Sequence, residues 1–480
     1  MENKKISIRA DGGSEIGLGH IVRCIALAQM LMKDFDINFV CKQIPETSIQ
    51  DIKKLGFGFR SIKNEDEFLD SITADTIVVL DHYGLDTQYQ KAIKEKGYKL
   101  VCIDDLHDKE FFADLIINHA PNIEPSAYQA QTYTQFALSL EYVLLRPAFL
   151  KKAKEAVNIK ITQTAFVCFG GSDIKNITQT TVDILKKDTR LKKIIIVVGA
   201  GYNYFDLLKE SVEDDARFYL YHSIDSEKMA ELISESQLAI VPSSGILLEV
   251  LAIGCNIISG MYIENQKYVF DNFKSLGAFE NAEDFSGINL TSAINKTFYK
   301  KSSVKKLIDG YSDRRLLNNF RQLVIEDEVS LKNAGESDLN KTFEWAGNAE
   351  IRKFSFNNAT IDYDTHKKWF TGKVGDKHCY YFIGELNNEA FGSIRFDVEN
   401  SQAKISYLID PAYQNNGLGT ILLKKGVELL LKQKNVKILI VWGEVFNENT
   451  ASVKIFKKLG YDVKSNFSTN FIRFEKIIQS

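Results

Sequence analysis

The sequence predicts an α/β chain in which two doubly wound parallel sheets are followed by a smaller α+β domain. Three observations predict it. The 480 residues exceed what one hydrophobic core holds, since domains run to about 100–200 residues. Short apolar runs alternate with helix-spaced patterns, first over residues 1–150 and again over 151–330, and such alternation implies parallel strands with helices on both faces. After a charged stretch the pattern changes to a strand meander, which marks a third domain at 346–480 behind a linker at 331–345.

In the first unit Lys5–Arg9, Ile37–Cys41, Thr76–Leu80, Lys99–Ile103 and Leu115–Asn118 read as strands, with helices at Ile21–Met32 and Thr87–Lys96. In the second, Thr164–Phe169, Lys193–Val198, Leu238–Val241 and Asn256–Ser259 read as strands, and Ile177–Lys187 and Ile246–Ile253 as helices. Two consecutive units of this kind place a ligand cleft between them, at the carboxyl ends of the strands. Residues 300–346 read as charged closing helices and a linker, a pattern that a plain solvated helix shares. In the third unit Tyr380–Glu385, Ala390–Asp397, Ala403–Ile409 and Ile438–Val445 read as strands.

Sixty Lys and Arg against 63 Asp and Glu leave a net charge of −3. That balance gives no overall attraction to nucleic acid or an anionic membrane. The six cysteines form no C-x-x-C pair and no zinc spacing; most lie in apolar runs such as Phe166-Val-Cys-Phe169, which predicts free thiols, a reducing cytoplasm and no metal centre. No signal-peptide block or membrane span is read.

The segment Arg9-Ala-Asp-Gly-Gly-Ser-Glu-Ile-Gly-Leu-Gly-His20-Ile-Val-Arg23 ends the first strand and opens the first helix. Its glycines allow tight turns and close approach by a ligand. His20 falls in the first helical turn, where the dipole favours the neutral ring, the form that serves as a general base. Arg23, three residues on, suits an anionic leaving group. The same spacing fits a histidine that merely caps the helix. Asp81-His-Tyr83, Asp104-Asp105 and Asn118-His119 end other strands; together they resemble a site, and singly each is a turn former.

In the second unit Gly170-Gly171-Ser-Asp173 follows one strand, and Pro242-Ser243-Ser244-Gly245 follows another and opens the helix holding Glu249. Ser243, Ser244 and the Gly245 amide suit a diphosphate at a helix N-terminus, or equally an ordinary N-cap. Glu249 suits ribose hydroxyls, and Glu264-Asn265-Gln266 the sugar or nucleotide.

These segments, with Leu145-Arg146-Pro-Ala-Phe149, resemble the UDP-sugar hydrolases of pseudaminic acid biosynthesis over roughly residues 5–330. The resemblance implies two Rossmann-like domains arranged as in the GT-B glycosyltransferases. It also implies hydrolysis of UDP-2,4-diacetamido-2,4,6-trideoxy-β-L-altropyranose to UDP and the free sugar, with inversion. His20 matches the catalytic base. Tyr83 matches a residue near the sugar, and Arg146 and Glu249 carry over to the nucleotide side; Asp11, Gly19, Arg23, Gly171, Ser244, Gly245, Asn265 and Gln266 complete the expected substrate-binding residues. A glycosyltransferase using the same nucleotide half is the alternative.

In the third unit Ile405–Pro411 leads into Gln414-Asn-Asn-Gly417-Leu-Gly419 and a helix. Amides at such a loop point at a diphosphate, and Lys424 and Lys425 are placed to add charge. With Glu444-Val-Phe-Asn447-Glu-Asn449 and the helix through Phe456 to Tyr461, the segment resembles the GCN5-related N-acetyltransferases (GNAT). That implies acetyl-CoA as co-substrate, held by Gln414, Gly417, Gly419 and Asn449. Where many members carry a tyrosine that protonates the leaving thiolate, this chain has Phe456; Ser452, Tyr461 and Glu444 are substitutes, and a CoA-binding module without activity is the alternative. Ile351–Phe356 with His366 and Trp369 further resembles acetyltransferases of nucleotide-linked amino sugars. Arg352, His366 and Trp369 are then acceptor-pocket candidates, against a plain reading of Trp369 as core and His366 as surface. The acceptor implied is UDP-4-amino-4,6-dideoxy-N-acetyl-β-L-altrosamine. Contacts with other enzymes of the sugar pathway are a further expectation.

Overall fold

The structure, a computed structural model, describes residues 4–13, 17–73, 76–155, 162–299, 306–355, 360–414, 416–464 and 470–478. Three large sheets follow one another along the chain, and a two-stranded pairing of Glu110–Phe111 with Gln129–Ala130 accompanies the first. The first comprises β1 (Lys4–Ala10), β2 (Phe35–Cys41), β3 (Gly58–Ser61), β4 (Thr76–Asp81), β5 (Lys99–Ile103), β6 (Leu115–Asn118) and β7 (Gln135–Leu138), in the order β3-β2-β1-β4-β5-β6-β7. All its pairings are parallel. Strands covered on both faces read as continuous apolar runs, and Thr76-Ile-Val-Val-Leu-Asp81 is buried throughout.

The second sheet comprises β8 (Thr164–Val167), β9 (Lys193–Val198), β10 (Phe218–His222), β11 (Leu238–Pro242), β12 (Asn256–Gly260) and β13 (Glu280–Asn281), again parallel, in the order β10-β9-β8-β11-β12-β13. Both sheets reverse direction at one point, between β1 and β4 and between β8 and β11. The apolar helices Pro147–Ala153 and Gly245–Ile253 join the two units in one core cluster that includes Ile8, Phe149, Phe166, Val241 and Leu247.

The third sheet is mixed: β14 (Val329–Asn333), β15 (Cys379–Leu386), β16 (Glu389–Glu399), β17 (Gln402–Ile409), β18 (Ile440–Phe446), β19 (Asp462–Lys464) and β20 (Phe471–Ile477), in the order β14-β15-β16-β17-β18-β20-β19. The predicted class therefore stands: two parallel α/β sheets, then an α+β domain.

Two boundaries differ from expectation. Residues 331–345 are not a linker, because β14 pairs antiparallel with β15 from Val329↔Leu386 to Asn333↔Phe382, and the helix Leu339–Gly347 buries Trp345. The charged run Glu326-Asp-Glu328 before β14 masked that edge strand. The helix Ser312–Ile325 also leaves the second unit: Leu316, Phe320 and Leu323 join Ile21, Leu27 and Ala28 in the core. Among the described residues no helix is long and apolar enough to cross a membrane.

Candidate functional site

In the first sheet the crevice where strand order reverses lies at the carboxyl ends of β1 and β4, the position where open α/β sheets bind ligands. His20, in the helix Gly19–Leu31 that follows β1, reaches Asp81 at the end of β4: Nδ1 lies 2.6 Å from Oδ1. An unprotonated nitrogen facing a carboxylate at that distance would be repelled, so Nδ1 carries the proton and donates it. In the neutral ring Nε2 is then the acceptor. Arg23, one helical turn on, clamps the same carboxylate: Nε donates to Oδ2 at 2.7 Å and Nη2 to Oδ1 at 2.6 Å. Its Nη1 donates to Asp105 Oδ2 at 2.9 Å.

Asp81 is fully buried. Burial alone would raise its carboxyl; the Arg23 charge and hydrogen bonds, with that of His20, outweigh burial and hold it well below the usual carboxylate range. Burial opposes the Arg23 charge too, yet Asp81 and then Asp105 keep the guanidinium ionised. The plain capping role for His20 is not what the helix shows: its N-cap position is Leu18, with no side-chain cap. Tyr83 closes the group. Its ring meets His20 edge-on at 4.6 Å, and its hydroxyl donates to Asp105 Oδ2 at 3.1 Å. Gly19 opens the helix with nothing near its absent side chain.

Asp11 is placed differently from its expected role. Its oxygens accept from the Lys42 and Gln43 amides at 2.7 and 3.0 Å and from Arg9 at 2.9 Å. His82 Nε2 lies 3.3 Å away. Burial works to raise the carboxyl, and these partners overcome it. Asp11 therefore ties the β1 and β2 ends together, and its carboxylate is already occupied.

The second sheet's reversal point is built of backbone. Ser243 is buried, its hydroxyl against Ser259 Oγ at 3.0 Å. Ser244 is the N-cap position of the helix Gly245–Ile253 but makes no side-chain cap. Neither serine is thus the ordinary cap, and the helix mouth is open: nothing lies near Gly245 or Gly171 where a side chain would stand. Gly199 packs so closely on Gly171 that a Cβ would overlap its backbone. The Gly171 carbonyl accepts from the Gly201 amide at 3.1 Å.

Glu249 and Arg146, expected as separate nucleotide contacts, pair with each other at 2.6 Å across the two units. Burial raises the Glu249 carboxyl, with Arg146 opposing. Gln266 is buried and accepts from the Tyr262 amide at 3.0 Å. The side chain of Asn265 lies outside the described residues.

In the third sheet β17 and β18 pair in parallel only from Gln402↔Ile440 to Lys404↔Trp442, then diverge while running on to Ile409 and Phe446. A wedge opens there. Gln414 and Asn416–Gly419 of the predicted loop lie at its mouth, Asn415 being outside the described residues, with Gly417 at φ +78° as N-cap position of the helix Leu418–Leu431; a side chain on Gly419 would overlap Ile455. Gln414 donates to the Ile409 carbonyl at 3.3 Å. Asn449 caps the next helix by accepting from the Ser452 amide at 3.1 Å.

The lysines expected near this loop turn away from it. Lys424 is buried against Glu326 at 2.8 Å, and Lys425 donates to the Val329 carbonyl at 2.5 Å. Phe456 is core, stacked on Phe474 at 5.1 Å. Of its expected substitutes, Tyr461 is buried against Phe456 and Glu444 pairs with Lys404 at 2.8 Å. Ser452 accepts from Tyr407 at 2.9 Å. Tyr407 was not singled out from the sequence, although a tyrosine between Ile405 and Ile409 on one strand face was the available signal. Burial pushes its phenol up to about 12.

For the acceptor-pocket candidates the plain reading is inverted. His366 is buried, its Nε2 3.1 Å from Thr342 Oγ1, and burial lowers its basicity. Trp369 is 40% exposed, with Arg395 over its ring at 5.1 Å. Arg352 donates to the Ala346 carbonyl at 3.1 Å.

The model of the acetyltransferase (GNAT) family matches residues 344–461. An uncharacterised protein of Methanocaldococcus jannaschii is 24% identical over 95% of this chain and 96% of its own length. The UDP-2,4-diacetamido-2,4,6-trideoxy-β-L-altropyranose hydrolase of Campylobacter jejuni is 28% identical over 55% of this chain and 93% of its own. The Bacillus subtilis spore coat polysaccharide biosynthesis protein SpsG is 25% identical over 57% of this chain and 82% of its own. Among solved structures, spermidine N-acetyltransferase of Vibrio cholerae aligns over 32% of this chain and 96% of its own, at 15% identity and a TM-score of 0.30. The chain thus carries a C-terminal GNAT acetyltransferase domain behind a region that distantly resembles a UDP-sugar hydrolase.

Proposed function

We propose that the N-terminal half hydrolyses a UDP-linked sugar, with UDP-2,4-diacetamido-2,4,6-trideoxy-β-L-altropyranose as the substrate, and that the C-terminal domain acetylates the 4-amino group of its precursor from acetyl-CoA. The observation that carries the first activity is the His20–Asp81 hydrogen bond at the strand reversal point. Asp81 holds the ring in the tautomer whose Nε2 accepts a proton. Nε2 takes that proton from water as the oxygen attacks the anomeric carbon. The bond from that carbon to the diphosphate breaks with inversion, and UDP leaves as an anion. The open helix mouth at Ser244 and Gly245, facing no side chain of its own, suits that diphosphate. Tyr83 flanks the sugar.

For the second activity, the wedge between β17 and β18 and the Gln414–Gly419 loop suit the pantetheine arm and diphosphate of acetyl-CoA. Tyr407, donating to Ser452, takes the proton-donor role that Phe456 cannot fill. Tyr407→Phe is expected to lower acetyl-transfer turnover about tenfold with an unchanged Michaelis constant for acetyl-CoA.

The hydrolase reading is tested with the UDP-sugar alone in ¹⁸O-water. UDP release with label on the sugar's anomeric oxygen is expected. UDP release only after a sugar acceptor is added would make the N-terminal half a glycosyltransferase.

A further inference from the structure

The helix Ser312–Ile325 has two occupied faces. Leu316, Phe320 and Leu323 lie in the core beside the helix that carries His20. The flank beside that face meets the acetyltransferase domain at the loop read above as the diphosphate site. Gln322 lies against Gly417, so closely that a Cβ on that glycine would overlap the Gln322 carboxamide. Lys458, near the end of the helix Thr450–Lys458, donates to Asn319 Oδ1 at 2.6 Å and to Gln322 Oε1.

The chemistry of this group is unbalanced. A half-buried ammonium packed between domains is normally compensated by a carboxylate, yet Lys458 donates to two neutral amide oxygens. Burial, reinforced by Lys424 and opposed by Glu326, pushes it down to about 7. Asn319 is buried, and its Nδ2, on the carboxamide that Lys458 holds, has no hydrogen-bond partner. A cation short of negative charge beside an amide with a spare donor calls for an anion that only accepts hydrogen bonds. A bolt between domains would be better served by glutamate at 322, which would neutralise Lys458.

We propose that Asn319, Gln322 and Lys458 form a phosphate-binding wall that completes the acyl-CoA site begun by the Gln414–Gly419 loop. A helix rooted in the N-terminal half thereby holds the nucleotide end of the thioester used by the C-terminal domain. The proposal rests on the acyl-CoA reading above. CoA offers two phosphate sources, its diphosphate and its 3′-phosphate.

The test is calorimetric titration of the full chain with CoA and 3′-dephospho-CoA, with pantetheine binding followed by NMR as the phosphate-free control. Gln322→Glu keeps the shape, neutralises Lys458 and places a negative charge where phosphate should sit. Lys458→Met removes the cation. Each is expected to weaken CoA about tenfold and leave pantetheine unchanged, and the Gln322→Glu chain to melt no lower than wild type. An equal loss for 3′-dephospho-CoA assigns the wall to the diphosphate; no loss assigns it to the 3′-phosphate. Unchanged CoA affinity in the Gln322→Glu chain, or equal weakening of CoA and pantetheine, overturns the wall and leaves the acyl-CoA reading standing. A wild-type chain that binds neither CoA nor pantetheine overturns both.

Discussion

The two parallel sheets share one topology and fill its reversal point with opposite chemistry. At the first, between β1 and β4, four ionisable side chains interlock: His20, Arg23, Asp81 and Asp105. At the second, between β8 and β11, the serine hydroxyls serve no cap and the glycines face open space. The fold therefore decides where a ligand meets each sheet, and the side chains decide what is done to it. In the proposed function the bond is broken at the charged point, and the diphosphate is held at the backbone point.

Breaking the charged point should have the largest effect. His20→Asn removes the base while keeping a polar side chain, and UDP release is expected to fall about 10²–10⁴-fold, the usual range for a general base. Acetyl transfer should survive, since His20 lies in the first unit and the acyl-CoA loop in the third. Hydrolysis near the wild-type rate in that variant would remove His20 from the mechanism.

Asp81→Asn comes next and separates orientation from acceptance. The amide can present an N–H to His20 Nδ1 and so allow the wrong tautomer, with an expected loss of about 10²-fold in turnover. It also leaves Arg23 only Asp105 as counter-charge. Losing one partner of a buried pair costs about 3–5 kcal/mol, so the melting temperature should fall as well. Full activity at reduced stability would make the pair purely structural.

At the backbone point, Gly245→Val tests the helix mouth. Nothing stands within 4 Å of the position a Cβ would take, so folding should be spared while the valine intrudes on the diphosphate. The Michaelis constant for the UDP-sugar is expected to rise about tenfold or more, with a smaller change in turnover. An unchanged Michaelis constant would place the diphosphate elsewhere.

How much of this was legible in the sequence follows from which interactions are local. Elements with a strong period were read to within a residue or two, because buried parallel strands are apolar along their whole length: Lys99–Ile103, Leu115–Asn118 and Lys193–Val198 match. The edge strands β7, β10 and β14 were missed, since their polar and charged positions break that pattern. His20 and the two loops stand out in the sequence because glycines cluster around them, and Tyr83 because it ends a strand in a segment that resembles a known family. The Asp81 partnership, 61 residues away, depends on two strands lying side by side, and spacing carries no trace of it. Asp11 and the Glu249–Arg146 pair show the converse: residues of the right type in the right segment, already satisfied by neighbours that only the fold supplies.

The smallest expected effect concerns the border of the charged point. His119, at the end of β6, is held down to about 4 by burial and by the Arg23 charge, against the pull of Asp105 and Asp81. Its unfolded value is about 6.5. Between those values the unfolded chain takes up a proton that the folded ring refuses, so falling pH favours unfolding, and the loss is complete below about 4. His119→Gln removes this one proton. Its melting temperature should decline less steeply than wild type between pH 6.5 and 4 and run parallel to it above 7.5, when both chains are followed across that range. Identical slopes would mean that the ring titrates as it does in the unfolded chain. Arg23 would then be neutralised by Asp81 and Asp105 so fully that its charge is not felt at the next strand end, and the charged reversal point would end at His20, Arg23 and their two carboxylates.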